Sequence, residues 1–496
     1  MTDYETMKGR IMETKNAWEQ YDKKELKEVD RVASGYIDFL SECKTERECV
    51  DRIVNTIEEA GYVELSEARK KGIKLKAGDK VYCVQMNKSV VMFKIGKKPV
   101  EEGLNILGAH IDSPRLDIKQ NPLYEDTGIA YLDTHYYGGV KKYQWVTIPL
   151  ALHGVVVLKD GTTVEMNVGE NPEDPVFFVS DLLIHLAAEQ LEKKGAKVVE
   201  GEALDIIIGN RPLKVSGKSE DEAEEKTDKK KKDKKDQQDK AKDPVKEGIV
   251  KILKDEYGFD EEDFLSAELE VVPAGRAREA GFDRSMVLGY GHDDRVCAYP
   301  SMMAMLESGD VERTACCILV DKEEIGSVGA TGMQSRFFEN AVSEVMDLTE
   351  GFSELKLKRA LAASCMLSSD VSAGFDPTYA SSFDKKNAAH LGHGLVFNKF
   401  TGSRGKSGSN DANAEYIAHL RDILDKRGVV YQTAELGKVD LGGGGTIAYI
   451  LALYGMNVID SGVAVLNMHA PWEAISKADL YESLKGYIAF LECAGM

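Results

Sequence analysis

Eight residues of this 496-residue chain have types and spacings suited to chemistry in common. His110 and Asp112 stand two apart in GAHIDSPR. On an extended backbone such residues point to the same side. Asp112 can then accept the second ring N–H of His110 and fix its tautomer, as carboxylates behind metal-bound histidines do. Asp293 and Asp294 follow in GHDDRV, just before a helical run. An aspartate there either caps the helix or bridges two cations. Glu323 and Glu324 stand side by side in ACCILVDKEEIG, where a short apolar run stops in charge. Asp370 in SSDVSAGFDP and His469 in LNMHAPWE complete the group. Each has an ordinary explanation when taken alone: a solvated strand end, a helix cap, a satisfied buried histidine.

The set is more specific than its members. In chain order it supplies His, Asp, Glu-Glu, Asp and His, each at the end of an apolar run or at a helix entry. Two divalent ions held close together require a shared carboxylate and private ligands for each ion. His110 and Asp370 would serve one ion, Glu324 and His469 the other, with Asp294 shared. Imidazole mixed with carboxylate suits zinc, and manganese or cobalt as alternatives. The expectation is two Zn2+ per subunit. The adjacent glutamates then divide the work. Glu324 as a ligand has its charge compensated. Glu323 stays unligated, free to take a proton from the attacking water and hand it to a leaving amine.

The elements that must position these residues are legible as patterns. LNILGAHIDS, TACCILVDKEE, LAASCMLSSDVSAG and VIDSGVAVLNMHAP read as buried strands with polar C-terminal ends. DRVCAYPSMMAMLES, NAEYIAHLRDILDKRG, TIAYILALYG and LYESLKGYIAFLE read as helices between and after them. The alternation predicts an α/β fold with a mostly parallel central sheet flanked by helices. Ligands bind beyond the carboxyl ends of such strands. Near the start, two helical patterns, the second with a Thr45–Glu48 capping box, precede a strand pair in VYCVQMNKSVVMFKIG.

Between residues 116 and 284 the pattern changes. IPLALHGVVVLKDGTTVEMNV predicts a hairpin turning at KDG, and DPVFFVSDLLIHLAAEQLEKKG predicts a helix. Residues 1–115 and 285–496 would thus form one discontinuous domain, with 116–284 an inserted β-rich domain. Within the insert, about 216–244 is almost purely charged and is expected to be a disordered loop.

The formal net charge of −20 argues against nucleic acid as a partner and against anionic membranes. The lysines of KTDKKKKDKKD are interleaved with acids and read as a solvated loop. The start, MTDYETMKGR, lacks the apolar core of a secretory signal, and no apolar run approaches a bilayer span. The eight cysteines show no CxxC spacing. These features predict a cytoplasmic protein without a disulfide framework.

At these residues the chain resembles the M18 family of metallo-aminopeptidases, which includes aspartyl aminopeptidases and the aminopeptidase I type. The matching stretches are GAHIDSPRL, THYYGG, SDLLIHLA, the DDR segment, DKEEIGS, SSDVSAGFDP and NMHAPWE, in the family's order. Related di-zinc aminopeptidases share the ligand order but not THYYGG or SDLLIHLA. The resemblance implies removal of N-terminal residues from peptides with a free amine. It implies His110, Asp294, Glu324, Asp370 and His469 as ligands, Glu323 as general base and Asp112 as the carboxylate behind His110. Asp294 is preferred to Asp293 because it directly precedes Arg295, like the family's bridging aspartate. His185 matches a family histidine that reaches a neighbouring subunit's active site; local packing on a helix face is the alternative. The resemblance also implies dimerisation through the insert and a tetrahedral dodecamer built from such dimers.

The substrate pocket is expected around NKFTGSRGKSGSND and LGGGGT, where Lys399, Arg404 or Lys406 would pair with an acidic side chain or remain solvated. TGSRGKS is no phosphate loop, because Phe400 stands where that motif requires glycine. The stretch is more similar to the aminopeptidase I type, which implies neutral or broad specificity, with aspartyl or glutamyl specificity as the alternative. A catalytically silent assembly protein would lack a ligand or Glu323, and none is missing. A di-metal deacylase would instead act on N-blocked substrates.

Overall fold

A computed structural model describes residues 15–213, 242–403 and 405–494. Residues 216–241 of the charged loop and Arg404 lie outside the described residues. The chain divides into two compact units, Met1–Pro114 with Arg276–Met496, and Arg115–Gly275.

The first unit is a mixed α/β layer. Its largest sheet has nine strands, in the order Val63–Glu64, Lys80–Gln85, Ser89–Lys94, Thr314–Val320, Leu104–His110, Cys365–Ser369, Asn457–Gly462, Leu395–Asn398, Tyr431–Thr433. The block from Thr314–Val320 to Asn457–Gly462 is parallel throughout. Antiparallel pairing enters on both sides of that block, at Ser89–Lys94 and at Leu395–Asn398.

Alternate strand residues feed two separate apolar cores, as the two-residue period of a strand requires. Leu107, Ala109, Cys317 and Leu319 meet Tyr36, Val296 and Tyr487, from helices Lys23–Glu42, His292–Glu307 and Lys477–Cys493. Ile106, Cys316 and Ile318 meet Phe338, Leu361 and Leu451, from helices Phe337–Thr349, Glu354–Ala363 and Ala448–Ala452. Burial on both faces explains why these strands are continuous apolar runs. The helix Glu46–Glu59 opens with the expected capping box: Thr45 accepts from the Glu48 N–H while the Glu48 side chain reaches back. Helix Lys23–Glu42 opens with a second box, from Asp22 and Glu25.

A smaller five-stranded sheet, Arg278–Ala280, Met286–Gly289, Glu473–Ser476, Ala464–Leu466 and Ser372–Ala373, belongs to the same unit. It includes Arg278–Ala280, although the composition puts 276–284 in the insert; that strand pairs antiparallel with Met286–Gly289.

The second unit is a six-stranded antiparallel sheet, ordered Thr163–Val168, Leu150–Val157, Ala267–Pro273, Arg115–Asp126, Ile129–Tyr137, Ile206–Gly209. The hairpin expected around KDG is Leu150–Val157 paired with Thr163–Val168. The helix expected over residues 174–195 does not form. Val179, Phe177 and Phe178 instead make isolated bridges to Val146, Leu150 and Ile207. Beyond them the chain makes a 3-10 turn, Ile184–Leu186, and a single helical turn, Ala188–Leu191. Pro175 and the β-branched and aromatic residues after it favour extended backbone. The leucines beyond are exposed, so little apolar packing among the described residues stabilises a helix there.

All eight cysteines are free. Among the described residues no helix is long and apolar enough to cross a membrane.

Candidate active site

The parallel block brings the strand ends to one edge. Val320 pairs with His110, Ser368 with Gly108, and Ser369 with Ser461. His110 is therefore the last residue of its strand, and Asp370 directly follows Ser369. Gly462 allows Asp370 to sit close, since a Cβ there would lie 1.9 Å from the Asp370 carbonyl oxygen. Beyond Val320 the chain turns through Lys322 (φ 70°) into a 3-10 turn, Glu323–Ile325, and leaves through Gly326 (φ 98°).

Asp112, fully buried, ties two of these elements together. The Glu323 N–H donates to its Oδ1 at 3.1 Å and the Glu324 N–H to its Oδ2 at 3.2 Å. The same Oδ1 lies 3.2 Å from His110 Nδ1, which is also 3.0 Å from the Asp112 carbonyl. Two oxygen acceptors at Nδ1 place the ring proton there and turn Nε2 into the cluster as a ligand atom.

The carboxylate between the two imidazoles belongs to Asp293. Its Oδ1 is 3.2 Å from His110 Nε2 and its Oδ2 is 3.3 Å from His469 Nε2. Glu324 Oε2 is 3.6 Å from the same His469 nitrogen. Glu323 Oε2 and Asp370 Oδ1 each lie 4.0 Å from His110 Nε2. The residue between the two rings is thus Asp293, the neighbour of the Asp294 that the sequence favours for the shared position. Asp294 is fully buried, and its Oδ2 accepts from the His110 main-chain N–H at 3.4 Å. The backbone departs from a helix at both residues. Asp293 (φ −80°, ψ 106°) and Asp294 (φ −117°, ψ 28°) are not helical, and the peptide between them is cis. Neither is the simple helix cap that the flanking sequence suggests.

The electrostatics call for cations. Burial, then neighbouring negative charge, pushes Glu324 and Asp370 well above the ordinary carboxylate range. Burial likewise raises Asp294. It raises Glu323 to about 7, aided by Asp112 and Asp293 and opposed by His110. Asp293 alone is lowered, because the His110 and His469 rings overcome its own burial. Asp294 Oδ1 and Glu324 Oε1 are buried without a hydrogen-bond partner. Ligand atoms of His110, Asp293 and Glu324 lie within 4.8 Å of one another, as do those of His110, Glu323 and Asp370, and of Asp293, Asp294 and Asp370. Uncompensated carboxylates packed this tightly repel strongly in a low dielectric. The donor set and its unpartnered oxygens therefore fit divalent metal.

Comparison with known proteins identifies the setting. The profile of the family described as aminopeptidase I zinc metalloprotease (M18) matches residues 39–491. The chain belongs to the M18 aminopeptidase family. It is accordingly a zinc metallo-aminopeptidase, a hydrolase. A probable M18 family aminopeptidase 1 from Clostridium acetobutylicum is 61% identical over 481 residues, covering 97% of this chain and 98% of its own. The crystal structure of an M18 aminopeptidase from Thermotoga maritima matches with a TM-score of 0.88 at 42% identity, covering 97% and 99% of the two chains. That of aminopeptidase I from C. acetobutylicum matches with a TM-score of 0.86 at 58% identity, covering 97% and 100%. The likeness of fold extends to a dodecamer from S. cerevisiae, with a TM-score of 0.70 at 18% identity over 92% and 96%.

Other residues singled out in this M18 chain lie in different surroundings. His185 is exposed, in the turn Ile184–Leu186. Lys399 is exposed at the end of strand Leu395–Asn398. Lys406 is engaged by Asp411 at 3.0 Å and sits 3.9 Å from the centre of the Phe400 ring. It lines a cavity of about 300 Å³ with Phe400, Gly402, Glu435 and Gly442. Two contributors receive no role from the sequence. Asp293 stands beside the residue that the sequence favours. Glu473 closes the NMHAPWE stretch, and its one distinguishing mark is an acid opening an apolar strand.

Proposed function

We propose that this chain removes N-terminal residues from peptides, with neutral or broad specificity, using two zinc ions per subunit, and that Asp293 is the ligand they share. The observation that carries this reading is one buried carboxylate facing two imidazoles with its two oxygens. His110 and Asp370 would complete one ion's set, Glu324 and His469 the other's. Zinc, when bound, polarises the scissile carbonyl and lets a water lose its proton near neutral pH.

The chain's own residues do the rest. Asp112 fixes the His110 tautomer and, through the two amides, the direction of both glutamates. Glu324 is turned to the His469 side and Glu323 to the His110 side. Glu323 takes the proton from the attacking water and delivers it to the departing amine. A glutamate beside the cluster but outside both ligand sets is suited to that exchange. Buried walls around His110, Asp293 and Asp294 exclude bulk water and strengthen these interactions.

Neutral or broad specificity is favoured over aspartyl or glutamyl specificity because Lys406 is already paired with Asp411 and stacked on Phe400, and Glu435 shares its cavity. The exposed run Leu182–Leu186 of the insert would bury itself against a second copy, carrying His185 toward the partner's site. Such dimers would assemble to a dodecamer, the form of the S. cerevisiae protein of like fold. Eight free cysteines suit work in the cytoplasm.

The test is a panel of aminoacyl-chromogen conjugates of Leu, Met, Lys, Asp and Glu, with and without a chelator. Chelator-sensitive release is expected from Leu and Met above Asp and Glu. A reversed order would overturn the specificity, and turnover confined to N-blocked conjugates would overturn the aminopeptidase chemistry at this site.

A further inference from the structure

Glu473 is 1% exposed and reaches the cluster through main chain. The His469 N–H donates to its Oε1 at 2.7 Å, and the Asp293 N–H donates to its Oε2 at 3.0 Å. One carboxylate thus holds the backbones of two residues that are distant in sequence. The arrangement repeats what Asp112 does for Glu323 and Glu324.

The surroundings make that hold consequential. Glu473 opens the strand Glu473–Ser476, where it pairs with Gly289, the last residue of the strand leading to Asp293. His469 lies in the turn between this strand and Ala464–Leu466, with φ 64°, and Asn467 has φ 62°. A histidine in the left-handed region is not held there by its own preference, so the surrounding structure must hold it. The Glu473 bond to His469 N–H supplies such a constraint. Ser113 adds a further tie to Asp293, its hydroxyl donating to the Asp293 carbonyl at 2.6 Å.

We propose that Glu473 is a positioning residue that sets the distance between the shared carboxylate of Asp293 and the imidazole of His469. The proposal rests on the two-ion reading above. Its consequence is asymmetric. The ion served by Glu324 and His469 depends on Glu473 through both its shared and one of its private ligands. The ion served by His110 and Asp370 depends on it through Asp293 alone.

Glu473→Gln preserves size but replaces one acceptor oxygen with a donor NH2 group, so one of the two main-chain N–H groups meets a donor. At so buried a position water does not substitute. Stepwise zinc affinity of the full-length protein would be measured against a competing chelator, together with the melting temperature of the metal-free protein. One of the two zinc steps is expected to lose about 10- to 100-fold in affinity, the scale of losses seen when residues behind metal ligands are changed. The other step is expected to hold, and the metal-free melting temperature to fall by only a few degrees, the scale of about one unsatisfied buried N–H. Cobalt bound in place of zinc would show the same selective loss in its visible absorption. Two zinc steps in the variant equal to those of the wild type would overturn the positioning role. Equal weakening of both steps would also overturn it, and make Glu473 a general structural tie. A wild type that takes up only one zinc would instead overturn the two-ion reading, and this inference with it.

Discussion

The unit carrying the site buries carboxylates, with Asp112 and Asp294 at 0% exposure, whereas the inserted unit exposes apolar side chains, with Ile184 at 67% and Leu186 at 66%. Each arrangement opposes the usual partition of residue types. The difference lies in what each surface lacks. Crowded acids behind a parallel strand edge need cations at close range. An apolar run that contacts little of its own unit needs apolar surface from elsewhere. On the proposed reading an ion of fixed charge would meet one deficit and a surface of matching shape the other, so the two regions should respond to different perturbations.

The largest response is expected from Asp293→Ala. It removes the carboxylate that faces both imidazoles, so zinc by elemental analysis should fall close to zero and turnover with it. Asp294→Ala should keep more metal; the opposite ranking of the two variants would return the shared position to Asp294. Glu323→Gln should leave metal content nearly intact while lowering kcat about 10²- to 10⁴-fold, the usual contribution of a positioned proton carrier. Retained turnover would sink that assignment.

Metal removal should act on one region only. A ligand at 100 times its dissociation constant stabilises the folded form by about 2.7 kcal/mol. Chelation should therefore lower amide-exchange protection around 104–114, 290–294 and 464–476 while sparing the hairpin Arg115–Asp126 with Ile129–Tyr137. Equal loss in both would erase the contrast between the two units. The smallest effect on folding is expected from Ile184→Ser with Leu186→Ser, within about ±0.5 kcal/mol as for most exposed positions. The same pair should nonetheless shift sedimentation toward smaller particles. An unchanged sedimentation coefficient would remove this run from the self-association surface.

Much of the architecture is readable from the sequence because its signals are local. The strands Leu104–His110 and Thr314–Val320 are buried on both faces, so they stand out as apolar runs, and polar residues must mark their ends. Thr45 and Glu48 announce a helix start within four residues. The segment 174–195 misleads because leucine spacing reports only which face of a helix would be apolar. It does not report whether anything lies against that face.

The amino-acid sequence by itself determined which side chains were available and roughly where along the chain each strand would end, since apolar periodicity and capping act over a few residues. Only the tertiary structure decided that Asp293 rather than Asp294 stands between the imidazoles, and that Glu473 grips the backbones of both Asp293 and His469. Neighbouring aspartates are chemically equal until φ and ψ aim them. A buried glutamate bonded to main-chain N–H groups contacts atoms that every residue carries, so no residue type in the sequence gives it away.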